Sequence, residues 1–291
     1  MAHSFDVQNG LLSGDPLPTR RRVLVTGAAG RIGSYFAEHS HTRYALRLTD
    51  RCFGERTSEL GACGELLEGE LHDLAFLKRA CAGIDTVVHL AGDPSASALW
   101  EDLLQTNIVG TYQTCVAARA AGCRRVVFAS SIHAVSAYPP DVQVKTSEPS
   151  NPGDLYGVSK CFGESLGRYL STQEGLSFIA LRIGAFQPRS SARDPEKLSL
   201  LDAFVSRRDL NQLLERCIDA PDNLRFAVFH GLSNNSFKRL DISDARELLG
   251  YAPQDDFAAE NPRTCDLHLA GQMAAASQVR DGAKSGIRDQ L

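Results

Sequence analysis

The sequence predicts an α/β protein built on a doubly wound parallel sheet, with a small carboxyl-terminal lobe. Short apolar strands alternate with helical patterns through the first two-thirds of the chain, which is typical of a parallel sheet covered on both faces. A glycine-rich turn joins the first strand to the first helix. With 291 residues, 43% of them hydrophobic, the chain can bury one large core or a core with a small lobe.

The glycine-rich turn follows the apolar strand that begins at Val23 and reads Thr-Gly-Ala-Ala-Gly-Arg-Ile-Gly. Its spacing predicts a Rossmann dinucleotide site. Gly27 can take the tight turn, Gly30 lets the backbone approach a pyrophosphate, and Gly33 lets the helix lie close to the strand. Unpaired amides at the start of the helix then face the phosphate charge.

A carboxylate follows the second strand, residues 44–49, at Asp50. Such a residue is placed to accept hydrogen bonds from the adenosine ribose hydroxyls. Its charge would repel the additional phosphate of NADP, so we predict NAD as the cofactor. Arg51 could attract that phosphate, which leaves NADP as the less favoured alternative.

Further strands and helices follow in alternation. Together with the first two strands, the apolar runs indicate about six parallel strands. The predicted strands are 65–67, 86–90, 125–129 and 178–183, and the predicted helices are 74–81, 99–121 and 154–171.

The pattern changes after Ile183. Residues 187–197 form a polar, basic segment that we interpret as a loop able to close over a ligand. We assign the elements beyond it to a lobe over the carboxyl ends of the strands: helices 209–219 and 244–249 and a short strand, 226–229. The predicted organisation is a flexible extension (1–21), an NAD-binding Rossmann domain (22–183), a substrate-binding lobe (184–272) and a flexible or interface tail (273–291).

Composition and charge argue against several classes of protein. The formal charge of −4 and the lack of a long basic run argue against nucleic acid as a partner. No apolar run approaches the roughly 20 residues needed to span a bilayer, so no membrane is expected. The eight cysteines show no metal-ligand spacing, so we predict no metal and reduced thiols in a cytoplasmic protein.

Tyr156 and Lys160 are the main candidates for chemistry. They lie four residues apart on a predicted helix and therefore on one face. A nearby ammonium stabilises a phenolate, so we expect Lys160 to lower the pKa of Tyr156 and make it a usable acid or base. Ser130 and Ser131 end a strand at the same sheet edge, where a hydroxyl can donate to a substrate oxygen.

These motifs together resemble one family. They are residues 26–33, Asp50, residues 89–92, Asn107, residues 130–131, Tyr156 with Lys160, residues 181–183 and residues 249–253. The chain resembles the extended short-chain dehydrogenase/reductase family, the branch of NAD-dependent epimerases and dehydratases, and within it is similar to the uronate dehydrogenase group. The similarity to that group rests on Ser130 to His133 with Tyr138-Pro139, and on residues 155–164.

The resemblance implies a role for each matching residue. The catalytic residues would be Ser131, Tyr156, Lys160 and Asn107, with Asn107 supporting a proton relay through water. The cofactor site would comprise Gly27, Gly30, Arg31, Ile32, Gly33, Asp50, Glu70, Leu71, Leu90, Ala91, Gly92, Asn107, Ala129, Tyr156, Lys160 and Ile183. The substrate site would comprise Ser95, Ser131, His133, Ala185, Arg189 and Arg193.

Two departures from the uronate dehydrogenase pattern bear on the substrate. Ile132 and Ala185 stand where that group has an asparagine and a serine, so two polar contacts would be lost and the substrate could differ. Arg189 and Arg193 are alternative partners for a sugar carboxylate, and either could equally be a solvated loop charge.

The sequence thus predicts an NAD-dependent dehydrogenase that oxidises a sugar or sugar acid, at the anomeric carbon, to a lactone. A nucleotide-sugar epimerase with tightly bound NAD is the alternative, and a non-catalytic NAD(P)-sensing protein is a further one. The resemblance also implies a homodimer or larger homo-oligomer formed through the long helices that precede and contain Tyr156.

Overall fold

A seven-stranded parallel sheet forms the centre of the computed structural model, which describes residues 20–265. The strands in chain order are β1 (Arg22–Thr26), β2 (Ala45–Asp50), β3 (Gly64–Glu68), β4 (Thr86–His89), β5 (Arg125–Ser131), β6 (Ser177–Ile183), β7 (Ala185–Gln187), β8 (Phe204–Ser206) and β9 (Phe226–Gly231). Their order in the large sheet is β3-β2-β1-β4-β5-β6-β9, and β7 and β8 form a separate parallel pair. The predicted doubly wound α/β class is confirmed.

Helices cover both faces of the sheet. They are α1 (Arg31–Ser40), α2 (Thr57–Gly61), α3 (Leu74–Cys81), α4 (Trp100–Leu103), α5 (Gly110–Ala120), α6 (Leu155–Gln173), α7 (Arg207–Ile218), α8 (Ser243–Leu249) and α9 (Phe257–Glu260). Short 3-10 segments lie at Gly54–Arg56, Ile132–Val135, Arg189–Arg193 and Pro195–Leu200. The helix predicted over 99–121 corresponds to α4 and α5, joined by a π-helical turn at Leu104–Val109.

The buried strands separate two apolar layers. Leu24 and Val25 are neighbours on β1 and belong to opposite layers, because successive strand residues point to opposite faces. Both are fully buried, as are Val87 and Val88 on β4. Since β1 lies between β2 and β4, the winding of the chain reverses there, and this reversal opens a crevice at the carboxyl edge of the sheet.

Two elements lie elsewhere than the sequence predicts. The strand at residues 226–229, which we assign to the lobe, is β9, the seventh strand of the main sheet. It runs parallel to β6, with Phe178 opposite Phe226 and Ile183 opposite Gly231. The helix at 209–219, also assigned to the lobe, is α7, and it contacts α1 and β5 as the crossover of that strand. The assignment to the lobe is wrong for both, because a short apolar strand carries no local sign of its sheet.

The predicted extension over 1–21 and tail over 273–291 fall almost wholly outside the described residues. Within residues 20–265, no helix is both long and apolar enough to cross a membrane.

Candidate functional site

The glycine turn brings the β1 and β4 loops into close contact. Gly27 has a positive φ of 69°, and a Cβ atom there would lie 2.8 Å from the Ala91 Cα. A Cβ on Gly33 would lie 2.4 Å from the Gly27 carbonyl oxygen, so α1 can approach the turn only with glycine at this position. The amides at the start of α1 therefore open onto the crevice, where a phosphate group would bind them.

Asp50 ends β2 and holds this turn in place. Its Oδ2 accepts a hydrogen bond from the Ala29 amide at 2.9 Å, and its Oδ1 accepts one from the Arg51 amide at 2.8 Å. Each carboxylate oxygen keeps a second lone pair for another donor. The geometry is compatible with a bound ribose. Asp50 also stabilises the backbone of the glycine turn, a role that the sequence did not reveal.

Two adjoining cavities follow the carboxyl edge of the sheet. The tyrosine cavity, of about 580 Å³, contains these predicted residues: Gly27, Gly30, Arg31, Ile32, Gly33, Leu90, Gly92, Ala129, Ser131, His133, Tyr156, Lys160, Ile183 and Ala185. The Asp50 cavity, of about 910 Å³, adds Asp50, Glu70, Leu71 and Ala91. Both are lined by Gly27 and Gly30, so the glycine turn lies where they meet. An elongated cleft with amides at its middle fits a dinucleotide.

Helix α6 places Tyr156 and Lys160 in the tyrosine cavity. Asp154 caps the helix by accepting from the Gly157 amide at 2.7 Å. A Cβ on Gly157 would lie 2.4 Å from the His133 carbonyl oxygen, so the helix start is pressed against the end of β5. Lys160 Nζ lies 5.4 Å from the centre of the Tyr156 ring, and both residues are buried.

Burial sets the protonation of this pair. It raises the pKa of Tyr156, although a hydrogen bond from the Ser131 hydroxyl to the phenol oxygen acts in the opposite direction. Burial also lowers the pKa of Lys160 to about 8. The sequence predicts a lowered pKa for Tyr156, whereas in the protein alone that pKa is raised, because burial removes water from the phenolate.

Asn107 lies beneath the cavity rather than in its wall. Its Nδ2 donates to the Asp93 carbonyl oxygen at 3.0 Å and to Ser159 Oγ at 2.9 Å, and its Oδ1 accepts from the Asp93 amide at 2.7 Å. Ser159 Oγ in turn donates to the Tyr156 carbonyl oxygen at 2.7 Å. These bonds use both amide hydrogens, so Asn107 ties the loop after β4 to α6. The π-helical turn around it, a type often found at functional sites, directs its side chain inward.

His133 contacts the catalytic candidate directly. Its ring meets that of Tyr156 edge to face, with centres 5.3 Å apart. Its Nδ1 lies 2.6 Å from Oδ2 of Asp154, the residue that also caps α6. A carboxylate on Nδ1 favours the tautomer with the hydrogen on that nitrogen, which leaves Nε2 as an acceptor. The sequence reasoning missed Asp154, although its position two residues before Tyr156 at a helix start was a usable signal.

A buried ion pair supports α6 from below. Arg182 donates to both carboxylate oxygens of Glu164, at 2.9 and 2.8 Å. Ser130, which the sequence pairs with Ser131, donates to Glu164 at 2.6 Å. Ser130 thus joins strand to helix, while Ser131 lies in the cavity wall and caps the following 3-10 turn by accepting from the His133 amide.

Three predicted substrate residues lie outside both cavities. Arg189 and Arg193 form ion pairs with Glu260, Arg193 at 3.2 Å, and their side chains are 56% and 65% exposed. Ser95 turns its hydroxyl to Ser97 at 3.0 Å, within the loop after β4. In this structure each of these three residues is bound to a protein partner and none lines either cavity, so their contact with a substrate stays a prediction.

Other residues line the tyrosine cavity without having been predicted for it. Asp93 and Pro94 follow Gly92 directly, and Phe186 and Gln187 follow Ala185. Their position next to predicted residues was the available signal. Ile132 and Ala185, the two departures noted in the sequence, both line the cavity.

Comparisons with known proteins agree with this geometry. Residues 23–212 match the NAD dependent epimerase/dehydratase family. The chain is 36% identical over 250 residues to the NAD-dependent glucose-6-phosphate dehydrogenase of Haloferax volcanii, covering 81% of this chain and 94% of that protein. It is also 36% identical over 240 residues to the uronate dehydrogenase of Agrobacterium fabrum, covering 82% and 86%. The crystal structure of a mutant uronate dehydrogenase from Agrobacterium tumefaciens complexed with NAD superposes with a TM-score of 0.74, at 32% identity, covering 90% and 92%.

Proposed function

The chain belongs to the NAD dependent epimerase/dehydratase family, and from this premise we propose that it is an NAD-dependent dehydrogenase that oxidises a hydroxyl group of a small sugar or sugar acid. The observation that carries the proposal is the placement of Tyr156, Ser131 and Lys160 in one cavity that also contains the glycine turn. Two relatives at 36% identity over most of their length are an NAD-dependent glucose-6-phosphate dehydrogenase and a uronate dehydrogenase.

The residues present fit NAD. The amides after Gly27 would hold the diphosphate, Asp50 would accept from the adenosine ribose, and Glu70 and Leu71 would flank the adenine in the Asp50 cavity. Lys160 would hold the nicotinamide ribose. When bound there, NAD supplies the acceptor for a hydride and, in its oxidised form, a positive ring charge.

Three side chains would orient the substrate oxygen, take its proton or stabilise the base that takes it. Ser131 donates to the reacting oxygen and orients it beside the Tyr156 hydroxyl. The Tyr156 oxygen takes the hydroxyl proton while the carbon loses its hydride, so the substrate loses two electrons and becomes a carbonyl compound. At the anomeric carbon of a sugar ring, that product is a lactone. The nearby positive charges of Lys160 and the oxidised cofactor favour the phenolate, which opposes the effect of burial.

The direct test is to incubate the purified protein with NAD and a set of aldoses and uronates and to follow NADH fluorescence. We expect stoichiometric NADH and lactone from at least one sugar. Interconversion of a nucleotide sugar without net NADH would indicate the epimerase alternative. Binding of NAD without any turnover would indicate a sensing protein and would contradict the proposal.

We also propose that the enzyme assembles as a homodimer or larger homo-oligomer. Six large apolar side chains are between 44% and 67% exposed on and beside α4, α5 and α6: Leu99, Trp100, Tyr112, Leu155, Val158 and Tyr169. Such a surface is suited to burial against a second copy. Size-exclusion chromatography with light scattering tests this, and a monomer at all concentrations would contradict it.

A cytoplasmic location is the corresponding proposal for the compartment. Seven cysteines, from Cys52 to Cys217, are thiols, and four of them are buried. Buried thiols in a chain of this size are typical of a reducing environment. Fractionation of the cells that produce the protein tests this proposal.

A further inference from the structure

The tyrosine cavity contains little positive charge at its substrate end. Among the described residues, its basic side chains are Arg31, His133 and Lys160. Arg31 belongs to the glycine turn, and its Nη2 donates to the Phe186 carbonyl oxygen at 2.7 Å, so its guanidinium is bound to the protein backbone. Lys160 is buried beside the ring of Tyr156, where it serves the cofactor and the phenol. Both cations are therefore already engaged.

The two loop arginines are engaged elsewhere. Glu260, on α9, is only 14% exposed and forms ion pairs with both Arg189 and Arg193. Arg189 also lies 3.5 Å from Asp255, whose side chain is 4% exposed. If the arginines turned into the cleft, Glu260 would lose both of its cationic partners, which is costly, whereas Asp255 would keep Arg208 at 2.7 Å. The ion pairs therefore hold the guanidinium groups on the outer side of the loop.

The acidic side chains near this cavity are Asp93 and Asp154. Asp93 lines both cavities and therefore lies where they meet, held by the bonds of Asn107 to its backbone. Asp154 binds His133 Nδ1 and leaves Nε2 as an acceptor. A carboxylate acceptor and an imidazole acceptor can each receive a hydrogen bond from a substrate hydroxyl. Both would repel a carboxylate or phosphate.

Carbon surfaces form part of the remaining wall, beside the amide of Gln187. Ile132, Ala185 and Phe186 line this cavity and not the Asp50 cavity. Carbon surfaces of this kind bury the C–H faces of a sugar ring favourably, whereas an ionic group without a partner would lose its hydration without compensation.

From these observations we infer that the substrate is an uncharged sugar, recognised through its hydroxyl groups, rather than a uronate or a sugar phosphate. This inference rests on the proposed dehydrogenase function and specifies its substrate class. It separates this chain from the relatives whose names specify a uronate or a hexose phosphate.

The test uses substrates matched in shape and different in charge. With NAD saturating, kcat/KM is measured for a hexose, the uronate with the same ring stereochemistry, the neutral uronamide of that uronate, and the hexose 6-phosphate. We expect the hexose and the uronamide to exceed the uronate and the phosphate by about tenfold or more, which corresponds to about 1.4 kcal/mol. A uronate turned over as well as its uronamide, or better, would overturn the inference.

A double variant adds a second measurement. Arg189→Ala with Arg193→Ala should leave kcat/KM for the hexose unchanged, because neither side chain lines the cavity. A selective loss of uronate oxidation in this variant would show that an arginine reaches the substrate and would overturn the inference. Absence of NADH with all four sugars would overturn the dehydrogenase function itself, and is thus distinct from an active enzyme that prefers the uronate.

Discussion

Two pairs of residues with the same spacing have different surroundings in this protein. Tyr156 and Lys160 lie four positions apart, and so do Arg189 and Arg193. The first pair lies on α6 and faces the tyrosine cavity, whereas the second lies on a 3-10 segment and faces Glu260. A four-residue spacing places two side chains on one face only in an α-helix, and only the rest of the fold determines the local conformation and what the side chains contact.

The difference extends to the two regions that carry these pairs. Around α6, the cavity is built from backbone constraints between neighbouring strand ends, such as the close contact of Gly157 with His133. Beyond Ile183, the loop is held by side-chain ion pairs to Glu260, about 70 residues further along the chain. The first region is therefore fixed for one chemistry, and the second is the region in which substrate preference can change.

The largest expected effect on activity comes from removing the phenol oxygen of Tyr156. Tyr156→Phe should lower kcat by about 10²- to 10⁴-fold, because the proton acceptor is lost. Affinity for NAD should stay within about twofold, since the glycine turn and Asp50 remain. Steady-state kinetics and calorimetric titration measure the two effects separately. Appreciable turnover in this variant would assign proton transfer to another group.

The buried ion pair beneath α6 should dominate the stability of this region. Glu164→Ala leaves Arg182, whose side chain is 3% exposed, without its carboxylate, and such a loss costs about 3–5 kcal/mol of unfolding free energy. Urea denaturation measures it, with Glu247→Ala on the exposed face of α8 as the matched control, expected within about 0.5 kcal/mol. Equal effects of the two substitutions would mean that the pair contributes nothing to the support of α6.

The pH dependence of turnover reports on the same region. Burial raises the pKa of Tyr156, and oxidation requires the deprotonated phenol. The phenolate fraction grows with pH below that pKa, so kcat should rise by about tenfold per pH unit where proton transfer limits the rate, and level off above the pKa. A kcat that falls from neutral to alkaline pH would contradict a phenolate base.

The smallest expected effect concerns the choice of cofactor. Asp50→Ser removes the charge that would repel the additional phosphate of NADP, while Arg51 stays beside it. The ratio of kcat/KM with NADP to that with NAD should rise by about tenfold. NAD use should also fall, because Asp50 accepts from the Ala29 amide. An unchanged ratio would place the ribose away from Asp50.

Much of the first region could be predicted from the sequence because its determinants are local. The glycine turn, Asp50 at the end of β2, and the Tyr156–Lys160 spacing each depend on backbone geometry within a few residues. The site of Asn107 could also be located, but its contacts could not, because they depend on a π-helical turn and on Ser159 of another helix.

The remainder depends on contacts between distant segments. The sheet position of β9 follows from its pairing with β6, which no pattern inside residues 226–231 encodes. The pKa of Tyr156 depends on how completely the surrounding segments bury it, which the four-residue spacing to Lys160 does not reveal. Glu260 as the partner of two arginines likewise became visible only in the folded chain.

The most direct test of the account is to follow the hydrogen that leaves the substrate. An aldose carrying deuterium at its anomeric carbon is oxidised by the wild-type enzyme with NAD, and the reduced cofactor is examined by mass spectrometry. The account predicts deuterium on the nicotinamide ring of NADH and a lactone as product, with both formed about 10²- to 10⁴-fold more slowly by Tyr156→Phe. Unlabelled NADH, or a labelled product formed equally well without the phenol oxygen, would contradict it.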